Sequence, residues 1–219
     1  VHPNGNILFT LFAVVDVDSG VPFPFDGEWH HVASSYSLAD GGVHFYLDGS
    51  EVSFIPETGA FKPPGTRQLD IGVQFTGLGR WPGDIDRVRI STAALTPDQL
   101  DSVAAEVKPV RSDTTIFFNF DKGSAPYPGD GVQPAGTALS TADWVIDHPP
   151  FVTDGDPSKV TDTPSKVAGD LSLQFGGKDI AAVEDPNGVL NLNGDWTLEA
   201  WVKVNANFRW RVRYFARIT

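Results

Sequence analysis

Residues 25–52 read "FDGEWHHVASSYSLADGGVHFYLDGSEV", and this stretch decides the fold class. Residues 29–37 and 43–48 are rich in aromatic and β-branched side chains and are expected to be strands. "LADGG" between them supplies turn residues. Asp48-Gly49 then separates two more short runs, the strongest local hairpin signal in the chain. Three strands within 28 residues, joined by tight turns, imply antiparallel pairing.

The same reading extends in both directions. Residues 7–17, "ILFTLFAVVDV", are expected to form a strand, as are 67–75, 84–91, 115–121, 171–175, 179–183 and 195–204. Thr96 is placed to cap a short helix over 97–107, with Pro97 at its first position. Residues 107–114 are a polar connection, and 122–137 and 147–169 are long loops. About a dozen strands with almost no helix give an all-β, antiparallel β-sandwich or barrel.

Composition agrees. The 219 residues are 41% hydrophobic, with six Trp and fifteen Phe, enough for one sizeable core. Gly and Pro, at 22 and 17, suit many turns. There is no Cys, so there is no disulfide, thiolate metal site or thiol nucleophile. A net charge of −12 argues against nucleic acid or an anionic membrane as partner. It favours carboxylates available to Ca²⁺. No stretch approaches the roughly 18 apolar residues of a membrane span. "VHPNGNILF" lacks a basic region and a cleavage site, so no signal peptide is expected within the chain.

Two sets of motifs carry a family resemblance. "EWHHVA", "GGVHFYLDGSEV" and "GDIDRVRISTAALTPDQL", within residues 25–104, resemble the second half of a laminin-G-like domain, a concanavalin A-like lectin/glucanase jelly roll. "FNFDKG", "LSLQFGG" and "DWTLEAWVKV", within 115–204, resemble the first half of such a domain. The resemblance implies a jelly-roll sandwich, and the halves stand in inverted order. Either half alone would expose an apolar face. A single sandwich in circularly permuted order is therefore expected, built from 1–106 and 115–204 and joined by 107–114. The alternative is a swapped dimer. The boundaries read as a fragment of a tandem array. The Arg-rich tail, 205–219, holds four of the nine Arg. It reads either as a basic edge strand or as non-native sequence.

Candidate site residues follow. Asp84 and Asp86 in "GDIDRVRI" lie two apart on one strand face, and Asp86 has the parity of Val88 and Ile90, expected to face the core. An inward carboxylate needs a cation or several donors. The resemblance implies a structural Ca²⁺ at Asp86, with Asp121 of "FNFD" as partner. An ordinary ion pair with Arg87 or Arg111 is the competing reading. Asp16 with Asp18, and Asp154 with Asp156, have D-x-D spacing but read better as solvated turn acids.

His30 and His31 point to opposite strand faces and cannot serve one site. The resemblance gives them a structural role. No G-x-S-x-G elbow and no E-x-D-x-x-E signature is present, so no catalytic residue is assigned. A metal-dependent hydrolase would need a His joined by two Asp. Trp81 in "GRWPGD" is the candidate platform for a sugar ring, whereas Trp29, Trp144, Trp196 and Trp201 fall in strand patterns and are expected in the core.

The expected function is a Ca²⁺-stabilised extracellular or cell-surface module that binds carbohydrate or a protein surface. The alternative is a metal-dependent phosphoester or ester hydrolase on the same sandwich.

Overall fold

A computed structural model describes residues 5–11, 15–57, 67–72, 81–105, 111–121, 144–145, 157–176, 181–185, 192–205 and 216–218. Fourteen strands appear among them. β1 (Asn6–Leu11) and β2 (Val15–Pro22) pair with each other. β3 (Trp29–Ser37), β4 (Gly42–Leu47) and β5 (Ser50–Pro56) form a meander. β6 (Arg67–Ile71), β7 (Pro82–Ser91), β8 (Thr114–Phe118), β9 (Trp144–Val145) and β10 (Ser158–Val160) follow. β11 (Ser172–Gly176), β12 (Ala181–Asp185), β13 (Trp196–Val204) and β14 (Ala216–Ile218) complete the set.

The largest sheet has the order β10-β11-β7-β13-β3-β4-β5, with β8 also on β7. A second sheet runs β14-β6-β12-β9. All described pairings are antiparallel. The main core joins the sheets: Val43, Phe45, Ile85, Val88, Ile90, Phe175 and Val202 of the large sheet pack with Ile7, Val17 and Ile71 of the others. The architecture is an antiparallel β-sandwich.

β13, from the C-terminal part of the chain, lies between β3 and β7 from the N-terminal part. Its register runs Trp196↔Tyr36 to Lys203↔Trp29 on one side and Thr197↔Ser91 to Val204↔Gly83 on the other. The core likewise draws on both segments.

The hairpin at Asp48-Gly49 forms as its residues require. Both have positive φ, 50° and 78°, and they join β4 to β5. Positive φ at both central positions is the twist-matched two-residue turn.

Three local expectations are corrected. Residues 7–17 are not one strand: Leu11 pairs with Val15 and Phe9 with Val17, so the run folds back as β1 and β2. β10 emerges inside the stretch read as loop. The helix over 97–107 does not form in its described part, residues 97–105, which are turn and irregular chain. Only local side-chain bonds form at its start: the Thr96 hydroxyl donates to Asp98 Oδ1 at 2.6 Å, and Gln99 Oε1 accepts from the Thr96 amide at 3.0 Å. The helix stops there because the sheet takes its backbone groups. The Asp101 amide donates to Glu199, Asp101 C=O accepts from the Trp201 indole, and Ala104 C=O accepts from Arg87. A helix needs those groups for itself.

Candidate metal centre

β7 has β13 along one side and two strands in tandem along the other. β11 pairs with it up to Ile85, and β8 takes over at Val88. The break falls at Asp86 and Arg87. On the β13 side, Asp86 is opposite Trp201 and Arg89 opposite Glu199, so Arg87 and Val88 together face Ala200. This is a β-bulge, with Arg87 at φ 48°.

The bulge corrects the parity argument for Asp86. Ile85, Val88 and Ile90 all enter the main core. Asp86 instead takes the face of Trp201, opposite Ile85. It is buried there at 0% exposure.

The chain segments that flank the break bring two more carboxylates. Asp121 follows β8 and Asp170 precedes β11. Burial pushes the Asp86 carboxyl well above the usual carboxylate range, and the charges of Asp170 and Asp121 push it further. Arg87 acts in the opposite sense: its amide donates to Asp86 Oδ1 at 2.7 Å, and its Nε lies 3.8 Å from Oδ2. Asp86 Oδ2 is buried with no hydrogen-bond partner. Asp121 accepts from the Leu171 amide at 3.0 Å and from Asn119 at 2.6 Å, and Asp170 accepts from Ser165 Oγ. Phe120, next to Asp121, is buried with φ 60°. Two non-glycine residues in the left-handed region therefore adjoin two of the three carboxylates, a strain typical of ligand clamps.

Carboxylate oxygens suit a hard cation such as Ca²⁺. Among the described residues, however, no three His, Asp or Glu side chains, Asp86, Asp121 and Asp170 included, form a group that could hold an ion.

Asp84 belongs to a different group. It sits opposite Lys203 of β13 and Gln174 of β11. Burial raises its pKa, the charge of Asp162 adds to the rise, and Gln174 and Lys203 oppose it. Asp162, from the loop after β10, accepts from the Trp29 indole at 3.0 Å and from Lys203 Nζ at 2.5 Å.

Trp81 does not offer an open ring. It is 1% exposed, packs edge-on to Phe23 in the main core, and donates its indole N–H to Lys203 C=O at 3.2 Å. The expectation of a sugar platform there is corrected: a ring enclosed on its faces cannot stack on a saccharide. Of the strand tryptophans, Trp196 lies in this core, and Trp201 is buried on the opposite sheet face. Trp29 is half-buried, and the side chain of Trp144 lies outside the described residues.

The two adjacent histidines divide as strand alternation demands. His31 is fully buried and bonds Glu199 at 2.9 Å. His30 lies at the surface. Its Nδ1 meets Asp48 Oδ2 at 2.9 Å and its Nε2 meets Asp26 Oδ1 at 3.2 Å. A His between two Asp is the pattern sought for a metal hydrolase, but the carboxylates occupy different ring nitrogens. They bracket the ring from its two sides and do not converge on one ion. His44 meets Glu51 and Asp40 through its two ring nitrogens in the same geometry.

Asp18 is a turn acid, accepting from Asn6 Nδ2 and the Gly20 amide, and Asp16 is exposed. Asp154, Asp156, Arg209, Arg211 and Arg213 lie outside the described residues. Ala216–Ile218 of the tail forms the edge strand of the second sheet, on β6.

Sequence reasoning missed Asp170. "GDLSLQF" places it one residue before a motif strand, as Asp121 stands after one, and that symmetry is the only signal.

The profile of the concanavalin A-like lectin/glucanases superfamily matches residues 2–101. No curated protein and no solved structure matches the chain.

Proposed function

With a laminin-G-like segment over residues 2–101 and a concanavalin A-like sandwich as premise, we propose that this chain is a non-catalytic binding module. It is stabilised by Ca²⁺ and works outside the cell on a carbohydrate or protein surface. The observation that supports the Ca²⁺ is the buried Oδ2 of Asp86, which has no hydrogen-bond partner and feels the charges of Asp121 and Asp170. No three His, Asp or Glu side chains among the described residues are grouped to hold an ion, so backbone carbonyls and water would have to complete the coordination. Extracellular modules with such sites bind Ca²⁺ at about 10⁻⁴–10⁻³ M, the range available outside cells.

The single-sandwich reading accompanies this proposal. It is supported by β13 lying between β3 and β7, and by a core shared between the two segments. In that reading the two segments form one module in permuted order.

Isothermal titration with Ca²⁺ and Mg²⁺ tests the metal, and a glycan array run with Ca²⁺ or with chelator tests the ligand class. Saturable Ca²⁺ binding that Mg²⁺ does not reproduce, and that Asp86→Asn abolishes, is the expected result. Calcium-independent stability together with turnover of phosphoesters or esters by purified protein overturns the reading.

A further inference from the structure

Four strands of the large sheet carry one polar row at a single level. Register sets Gln174 of β11 across from Asp84 of β7, Asp84 across from Lys203 of β13, and Lys203 across from Trp29 of β3. Directly opposed residues share a sheet face. Their strand neighbours Phe175, Ile85 and Val202 enter the main core, so alternation sends the row to the other face. Three strand steps separate Gln174 from Trp29, roughly 14 Å, the length of a short oligosaccharide. Residues 93–105 cover this face of β13 up to Trp201, whose indole donates to Asp101 C=O at 2.8 Å. Lys203 is the next outward position on that strand. Gln174 is exposed and Trp29 half-buried, so the row reaches solvent.

One acceptor in the row is unused. Asp84 is 3% exposed, and its Oδ1 has no hydrogen-bond partner. Its neighbours on both sides, Gln174 and Lys203, are long side chains, so a ligand reaches the carboxyl by their change of rotamer and not by moving backbone. Asp162, from the loop after β10, closes the Trp29 end of the row. It accepts from the Trp29 indole at 3.0 Å and from Lys203 Nζ at 2.5 Å. The bond to the indole N–H fixes the ring as a platform.

Charge then decides the class of ligand. Lys203 faces Asp84 across the strands and bonds Asp162, so the row already holds its cation. Two carboxylates turn away an anion. A neutral group that donates to Asp84 and accepts from Lys203 fits, and a hydroxyl does both. An aromatic ring beside such a polar pair suits the apolar C–H face of a sugar.

We propose that the row Gln174, Asp84, Lys203 and Trp29 is a binding site for a neutral saccharide, in which Trp29 stacks on one sugar ring and a hydroxyl donates to Asp84 while accepting from Lys203. The inference rests on the binding-module reading above. It chooses carbohydrate over a protein surface and places the contact on the open level of the large sheet. It uses no metal ion.

An array of neutral and of sialylated or uronic-acid oligosaccharides, probed with the full chain in millimolar Ca²⁺, finds the ligand, and calorimetric titration with the best neutral hit measures it. Trp29→Ala and Asp84→Asn are each expected to raise its dissociation constant about tenfold or more, the scale of a truncated aromatic anchor or a lost bond to a charged group. Should either variant fail to fold, the unaltered protein gives the same information: the neutral oligosaccharide should protect Lys203 from acetylation, read by mass spectrometry. Neutral-glycan binding that leaves Lys203 equally reactive, or that persists unchanged in folded Trp29→Ala and Asp84→Asn, overturns the row and leaves the module reading standing. Hits confined to acidic glycans overturn it likewise. No glycan binding at all overturns the row and leaves the module a protein surface as its ligand, whereas turnover of phosphoesters or esters overturns the module reading itself.

Discussion

Glu199 Oε2 accepts from two directions: from His31 Nε2 at 2.9 Å and from the backbone amide of Asp101 at 2.8 Å. His31 belongs to β3, Glu199 to β13, and Asp101 to the segment lying across them. Arg89 of β7 adds its charge, with Nη2 3.5 Å from Asp101 and Nε 3.8 Å from Glu199. Arg87 lies over the Trp201 ring at 5.2 Å, and Arg89 over Phe117 at 4.6 Å. The sheet thus has two buried faces. One is the apolar core. The other is a polar layer that fixes residues 93–105 by their backbone.

Replacing Glu199 with Ala removes the carboxylate bonded by His31 and the Asp101 amide, and takes one of the two carboxylates facing Arg89. Removing one partner of a buried ionic group costs about 3–5 kcal/mol. Urea unfolding of Glu199→Ala should show that loss, and Glu199→Gln, which keeps an acceptor for the Asp101 amide, a smaller one. A loss within about 0.5 kcal/mol in both variants would mean that the layer contributes nothing to stability.

The two faces explain what sequence could and could not reveal. Strand positions and the Asp48-Gly49 turn were legible because alternation and turn chemistry are local. The burial of Trp201 and the split of His30 from His31 were legible too, but the roles of Glu199 and Arg89 were not: both are charged residues in strands, and the cover of 93–105 lies over them. The helix failed for the same reason: its start signal was local, and distant side chains claimed the backbone groups it needed. At the candidate site, Asp86 and Asp121 were legible from their motifs. The bulge at Arg87, which decides the face of Asp86, has no sequence signature, since Arg is not a residue that favours positive φ. Trp81 was misplaced because Gly and Pro neighbours suggest an open loop even where the ring plugs a core.

Gly49 links the hairpin to the same covering segment. A Cβ there would lie 2.6 Å from Ser102 Oγ, and the residue has φ 78°. Gly49→Ala is expected to cost roughly 1–3 kcal/mol from backbone strain, and more if Ser102 cannot move. Thermal melts of Gly49→Ala and of Gly49→Ala with Ser102→Gly separate the two contributions: the second change should recover only the steric part.

His30 should make stability depend on pH in a defined window. Burial lowers its pKa, but the hydrogen bonds of Asp48 and Asp26 outweigh it, and the net shift is upward from 6.5. A group with a raised folded pKa stabilises fully below its unfolded value and loses that contribution as pH rises through the folded value. The contribution is therefore full well below the unfolded value of about 6.5 and is lost as pH rises from there through the raised folded value. NMR titration of the imidazole should place the midpoint above the model-peptide value in the intact protein. Asp26→Asn should lower it. An unchanged midpoint in that variant would remove Asp26 from the pair that brackets the ring.

Asp86 yields the sharpest test, because its replacement should change sign with calcium. Without a cation, folding forces its carboxylate into a buried site beside Asp121 and Asp170, and its pKa is raised. A raised carboxylate pKa means that the folded state binds the proton more tightly. That contribution to stability is present at low pH and is lost as pH rises through the unfolded value, near 3.9, to the folded one. At neutral pH in chelator, Asp86→Asn removes the unfavourable charge and should raise Tm by about 2–4 °C, the shift of ~1 kcal/mol in a domain of this size. In millimolar Ca²⁺ the order should invert: the unaltered protein gains the binding energy of the ion and the variant does not. Scanning calorimetry on both proteins in both buffers gives four values, and the crossing of the two lines is the signature of a cation site. Parallel lines, with Asp86→Asn shifted equally in both buffers, would assign Asp86 to a purely structural pair with Arg87.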